Sequence, residues 1–384
     1  MTSVPSSSPP VPAQPRTFRD YALTGESSRR AVEMGLAAAE WYHTEVPRKV
    51  MKELMTRSDG PAIRDTILWI ALHVVFGGVA VWLSVTGHPW LSVPFWIAYG
   101  VVYGSACDSR WHECGHGTAF RTPWMNDAVY HIASFQVMRN PVNWRWSHAR
   151  HHTDTIIVGR DAEIAWMHPI KLGLKALAYV GLVDAWHSLK VLARNAAGVL
   201  SADERDYIPE SEWPKAIFWA RVHMAIYAAT VLVALAMLLA GQGWRSVIPF
   251  LLVGLPRLYG CWHMVMTGLL QHGGLAEDVL DHRLNSRTVY MNPISRWIYW
   301  NMNYHVEHHM FPMVPYHALP RLHEAIKHDL PPPNPSIWAA YKEMFGAVLR
   351  QRREPGYYLK RELPPTARPY KEDLHTAVPE RATA

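Results

Sequence analysis

The chain has 384 residues, enough for a sizeable buried core, but only 18% are charged against roughly 25% in soluble domains, while 49% are hydrophobic. With 18 Trp and a mean hydropathy of only -0.09, polar ends must dilute some strongly apolar stretches, as in a membrane protein. Cys107, Cys114 and Cys261 form no C-x-x-C pair, which argues against a disulfide framework, a Cys-rich zinc ribbon or a built-in iron-sulfur cluster; the net charge of +6 comes without the basic and aromatic clusters of a nucleic-acid binder.

Residues 1–18 are rich in Ser and Pro, lack the apolar core of a secretory signal and read as a disordered tail. The chain then turns basic at Arg48, Lys49, Lys52, Arg57 and Arg64, just before an uncharged apolar run over 66–85 long enough to cross a bilayer. A turn at 86–89 without Lys or Arg leads to a second run over 90–106, so the two predict a transmembrane hairpin. Residues 169–194 mix apolar side chains with Lys171, Lys175, Asp184, Lys190 and Arg194, the pattern of helices lying along the membrane interface. Two further spans are expected over 224–243 and 246–271, the last carrying Arg257, whose charge must face protein or a wet cavity.

The expected fold is therefore an all-α integral membrane protein, with about four spans in two hairpins, interfacial helices and a cytoplasmic cap. Positive-inside counting places the basic segment and both termini in the cytoplasm and the 86–89 turn outside. The expected division is a disordered or peripheral segment over 1–44, a catalytic domain over 45–345 and a polar tail over 346–384.

The 22 histidines are the anomaly of the composition. Three clusters stand out: His112 and His116 in WHECGHG, His148, His151 and His152 in SHARHHTDT, and His305, His308 and His309 in NYHVEHHMFP. Spacings of i, i+3 and i+4 put the imidazoles of each cluster on one face of a helix. A lone His on such a face is usually structural, but three clusters, all on the predicted cytoplasmic side, point to metal. Eight are too many for one ion, so two ions would receive about four each, and His272 in GLLQHGG is a ninth candidate. Imidazole suits Fe, Zn, Cu and Ni and does not name the metal.

The series H-x-x-x-H, H-x-x-H-H and H-x-x-H-H, with membrane hairpins between, resembles the membrane fatty acid desaturase and hydroxylase superfamily over about 66–330. The stretch from QHGGLAEDV through HRLNSRT to NYHVEHHMFPMVPYHALP looks like bacterial acyl-lipid desaturases. The resemblance implies a non-haem diiron centre, held by His112, His116, His148, His151, His152, His305, His308 and His309, with His272 matching the extra histidine such enzymes carry. It implies that O2 and two external electrons remove hydrogen from an unactivated C–H bond of a lipid acyl chain, and it implies an inner-membrane location. The three residues between His112 and His116 match acyl-lipid and hydroxylase members rather than acyl-CoA enzymes. Hydroxylation of an alkyl or small-molecule substrate is the alternative outcome.

Carboxylates beside the boxes should orient the ligand imidazoles through their free N–H: the candidates are Glu113, Asp154, Asp161, Glu163 and Glu307, with Asn303 in a similar role. Without a Cys motif, flavin fingerprint or dinucleotide loop, electrons are expected from a separate ferredoxin, rubredoxin or cytochrome. H-E-C-G-H also satisfies the zinc-protease signature with Glu113 as base, but that leaves six boxed histidines unexplained. A His-rich transporter would place ligands inside the spans, where only His73 and His263 stand clear, and they do not cluster.

Overall fold

A computed structural model describes residues 19–371, so the Ser- and Pro-rich stretch over 1–18 and the last residues of the polar tail lie outside the described chain. The described residues are helical, with two isolated bridges and no strand. In chain order the helices are α1 (Glu26–Glu33), α2 (Arg48–Leu54), α3 (Asp59–Val85), α4 (Pro89–Gly104), α5 (Ala106–Gly115), α6 (Pro123–Gln136), α7 (Pro141–Thr153), α8 (Leu172–Ala178), α9 (Leu182–Ala196), α10 (Ala202–Tyr207) and α11 (Trp213–Leu239). They continue with α12 (Ile248–Leu252), α13 (Pro256–Tyr259), α14 (Trp262–His272), α15 (His282–Asn285), α16 (Pro293–Ile298), α17 (His305–Met310), α18 (Leu319–Ile326) and α19 (Ile337–Gln351).

Two stretches are long and apolar enough to cross a membrane: Arg48–Val85, which contains α3, and Glu210–Leu239, which contains α11. The core helix of a soluble protein would bury most of such a window, yet only 22% and 11% of these windows are buried. Ile67, Val74, Leu232 and Leu239 turn outward, as a lipid-facing surface requires. α4 packs beside α3 but is shorter, 16 residues with Pro94 inside, and continues into α5 through Ser105.

The run expected as a continuous fourth span is instead broken into α12, α13 and α14. Pro249 and Pro256 lack the N–H that would extend a helix, Val253 is extended and Gly254 adopts a φ of 86°. The broken segment is held against α4 by close backbone approach: a Cβ at Gly260 would fall 1.9 Å from the Gly100 carbonyl oxygen, and one at Gly104 2.6 Å from that of Pro256. Arg257 is buried there and pairs with Asp184 of α9, a structural neighbour that satisfies its charge.

The cap is built around the short helices that follow. Leu319, Leu322 and Ile326 of α18 pack on Val306 and Met310 of α17, while Ala340, Met344 and Val348 of α19 pack on Leu269 and Leu270 of α14. Both ends of the described segment are drawn onto this cap. Leu36 and Trp41 lie with Ile157 and Leu280, and the backbone carbonyls of Arg368 and Pro369 accept from the Arg283 guanidinium, each at 3.0 Å.

A candidate metal centre

Local sequence fixes each histidine before packing brings them together. In α7, Asn140 caps the helix by accepting from the Val142 and Asn143 N–H groups, and Pro141 occupies the first turn, where its missing N–H costs nothing. The last turns of that helix then present His148, His151 and His152. His112 lies in the last turn of α5 with His116 at its C-cap, His272 is the last residue of α14, and α17 carries His305, His308 and His309 on six residues.

Nine imidazoles form two groups. In the first, His112 Nε2 lies 2.8 Å from His308 Nε2 and 3.1 Å from His148 Nε2, which is also 3.1 Å from His116 and His152; His152 and His308 are 3.2 Å apart. In the second, His305 Nε2 is 3.1 Å from His272 Nε2 and 3.0 Å from His309 Nε2, and His151 completes the group. Within each group the ligand nitrogens lie within 4.8 Å of one another.

Hydrogen bonds cannot account for this convergence, because a neutral imidazole has one N–H to give and several Nε2 atoms meet at one point. A cation bound at about 2.1 Å by each nitrogen sets ligands at right angles about 3 Å apart, close to the spacing here. The donor set therefore fits one transition-metal ion in each group.

The far side of several rings is anchored. His151 Nδ1 donates to Asp161 at 2.7 Å, His148 Nδ1 to Glu163 at 3.0 Å and His272 Nδ1 to the Asn285 carbonyl at 2.7 Å. His309 Nδ1 meets Thr155 at 3.3 Å, and His308 Nδ1 faces Glu113 Oε1 at 3.6 Å. Fixing Nδ1 as the protonated nitrogen leaves Nε2 with its lone pair for a metal. Among the described residues, His152, His305 and His308 have no hydrogen-bond partner at Nδ1.

Burial, reinforced by neighbouring imidazoles, holds His112, His148, His152, His305, His308 and His309 well below the usual imidazole range. It lowers His116 and His272 to about 3. These rings are neutral and ready to ligate. His151 is the exception: burial acts downward, but the Asp161 carboxylate raises it. Asp161 is correspondingly held low by His151 and by the Glu163 and Ile156 N–H groups, against burial. Burial pushes Glu163 up to about 7 and Glu113 up to about 8.

Of the five carboxylates singled out from sequence, Glu113, Asp161 and Glu163 reach histidines of the two groups. Asp154 instead accepts from the Ala38 N–H and from Arg160, tying down the N-terminal segment. Glu307 accepts from Thr288 and His323, which joins α17 to α18. Asn303 donates to the Val289 carbonyl at 2.9 Å. His73 and His263 lie apart, on Trp69 and Gln136 and on Ser295 respectively. Sequence reasoning missed Asn285, which acts through a carbonyl that every residue carries, and Trp144, which stacks on His148 at 4.1 Å and 14°.

The sequence model of the fatty acid desaturase family matches residues 88–341, a span holding all nine histidines. The Delta(12)-fatty-acid desaturase of Arabidopsis thaliana is 26% identical over 313 residues, covering 73% of this chain and 78% of that protein. The acyl-lipid (9+3)-(E)-desaturase of Dimorphotheca sinuata is 24% identical over 285 residues, covering 65% and 73%. A sn-1 oleoyl-lipid 12-desaturase of Anabaena variabilis is 34% identical over 101 residues, covering 26% and 27%. Helices with outward apolar faces, a histidine assembly suited to metal and a family match across most of the chain lead to one assignment: the protein belongs to the fatty acid desaturase family and is an oxidoreductase of desaturase type.

Proposed function

We propose that the protein is a multi-pass membrane enzyme that uses O2 and electrons from a separate donor protein to desaturate an acyl chain of a membrane lipid. The observation that carries this reading is the convergence of nine imidazoles into two adjacent groups, each matched to one ion. Two irons are proposed, with His112, His116, His148, His152 and His308 on one and His151, His272, His305 and His309 on the other. The names of the acyl-lipid relatives favour a lipid-bound acyl chain as substrate.

When bound, the irons would supply O2 activation and removal of hydrogen from an unactivated C–H bond. The work of the chain is positional. Asp161 and Glu163 hold His151 and His148 in one tautomer, the Asn285 carbonyl does the same for His272, and the buried cap limits water at the reacting carbon. Glu113 sits behind His308, its Oε2 taken by Thr118 and the Tyr316 N–H, rather than in front of the Nε2 cluster. That placement suits an orienting group and not the water-activating base of a zinc protease.

The division proposed with it is 45–345 as the catalytic unit, 1–44 as a disordered or peripheral segment and 346–384 as a polar tail, with α19 running past that boundary to Gln351. The histidine face and both ends belong to the cytoplasmic side of a bacterial inner membrane. Two measurements test the proposal together. Metal analysis of purified protein should give about two irons per chain, and one zinc would overturn it. Mass spectrometry of membrane lipids, with and without expression, should show products lacking two hydrogens; products gaining one oxygen would make the enzyme a hydroxylase.

A further inference from the structure

Asp108 differs from the other acidic residues around the histidines. It lies four residues before His112 on α5, so the two side chains share one helix face. Because α5 continues from α4, Asp108 is displaced one turn, about 6 Å, from His112 toward the apolar helices. Its neighbours Cys107 and Ser109 are buried, whereas Asp108 is part-exposed. Among the described residues, no hydrogen bond or ion pair engages its carboxylate.

Arg139 and Arg257 are within electrostatic reach of Asp108. Both guanidiniums are engaged by Asp184 instead, Arg139 at 2.8 Å and Arg257 in a short contact, and each keeps a buried Nε without a partner. Tyr299 is another electrostatic neighbour of Asp108, and its hydroxyl accepts from Gln271, the residue before His272.

A structural counter-ion would touch one of the arginines, and a wall shaped only for hydrocarbon would hold no unpartnered carboxylate. Arg139 and Arg257 against Asp184 and Asp108 sum to no net charge, so an ammonium or carboxylate ligand would upset the balance. A neutral hydroxyl does not, and it can donate to Asp108 while accepting from a free guanidinium N–H.

We infer that Asp108 is a substrate-recognition residue whose carboxylate accepts a hydrogen bond from a hydroxyl on the lipid chain, close to the carbon presented to the histidine groups. The inference rests on the lipid-oxidising reading above and names its substrate class: a hydroxylated chain rather than a plain one.

The test uses the full chain, loaded with iron, in lipid nanodiscs. It is titrated without O2 with phosphatidylglycerols bearing a stearoyl chain or a hydroxystearoyl chain, the hydroxyl being moved along the chain. Wild type should bind one hydroxy isomer at least about tenfold more tightly than the plain chain. Asp108→Leu should lose that preference with iron content and the ferrous-site spectrum unchanged, and Asp108→Asn, which keeps an acceptor, should retain part of it. Equal binding of every chain by wild type, as expected if only water fills the space, would overturn the inference. So would an undiminished preference in Asp108→Leu, or loss of iron from both variants, which would make Asp108 a structural support. If one hydroxy isomer is preferred but no lipid is oxidised once O2 and a reductant are added, the recognition site stands and the desaturase reading falls. If plain and hydroxylated chains are bound and oxidised alike, the desaturase reading stands and the site falls.

Discussion

The two histidine groups share α7 and α17, but α5 completes one and α14 the other, and they are supported differently. The group of five, around His148 and His308, has behind it Glu163 and Glu113, both pushed by burial toward the neutral form. The group of four, around His151 and His305, has Asp161, held ionised by His151 and backbone N–H groups, together with the Asn285 carbonyl. A carboxylate charge close behind a ligand raises its basicity, so the smaller group offsets having one imidazole fewer with a stronger anionic support. Two all-histidine groups can thus differ in how strongly they would hold a metal.

Removing ligands breaks the comparison most severely. His152→Ala or His308→Ala should abolish turnover and lower bound iron while the protein still inserts in the membrane, and His305→Ala or His309→Ala should do the same from the other group. Iron analysis of membrane-purified variants checks this; full iron and activity in all four would remove the ligand assignment. Asp161→Asn comes next. It keeps the shape but loses the charge behind His151, and a loss of about 10- to 100-fold in metal affinity or activity is expected. An unchanged iron titration would erase the proposed asymmetry.

Acidification should weaken both groups. His116 and His272 have folded values near 3, below the ordinary 6.5, so the unfolded chain binds more protons between those limits. The stability of the metal-free protein should be full above about pH 6.5 and decline as pH falls toward 3. Thermal melts across that range would refute the expectation if they stayed flat. The smallest effect is expected for Glu113→Gln. Its contact to His308 is long, at 3.6 Å, and burial already favours the uncharged carboxyl, so activity should fall only a few-fold. Complete loss of activity with metal retained would return Glu113 to a protease-like role.

Much of the centre was legible in the chain because helical spacing is a local property. The i, i+3 and i+4 intervals already place His148, His151 and His152 on neighbouring turns, and Asp161 and Glu163 stand close enough downstream to be named as supports. The expectation of about four imidazoles for each of two ions agrees with groups of five and four, but the division does not follow the boxes. His148 and His152 join one group while His151 joins the other, and His308 likewise parts from His305 and His309. Consecutive helical residues are rotated by about 100°, so neighbouring imidazoles diverge, and the approach of facing helices selects which ion each meets. Glu307 shows the converse, a carboxylate inside a box whose side chain turns to Thr288 and His323.

The sequence by itself determined the apolar stretches now seen in α3 and α11, the helical registers of the boxes and the residue chemistry suited to metal, because hydropathy and spacing act within one segment. Only the tertiary structure decided that the broken run over 246–271 packs against α4, that nine rings divide as five and four, that Arg257 ends on Asp184, and that Asp108 is left with an open carboxylate among the described residues. Each of these depends on contacts between segments far apart in the chain, where the nearest partner in space, rather than in sequence, sets the outcome.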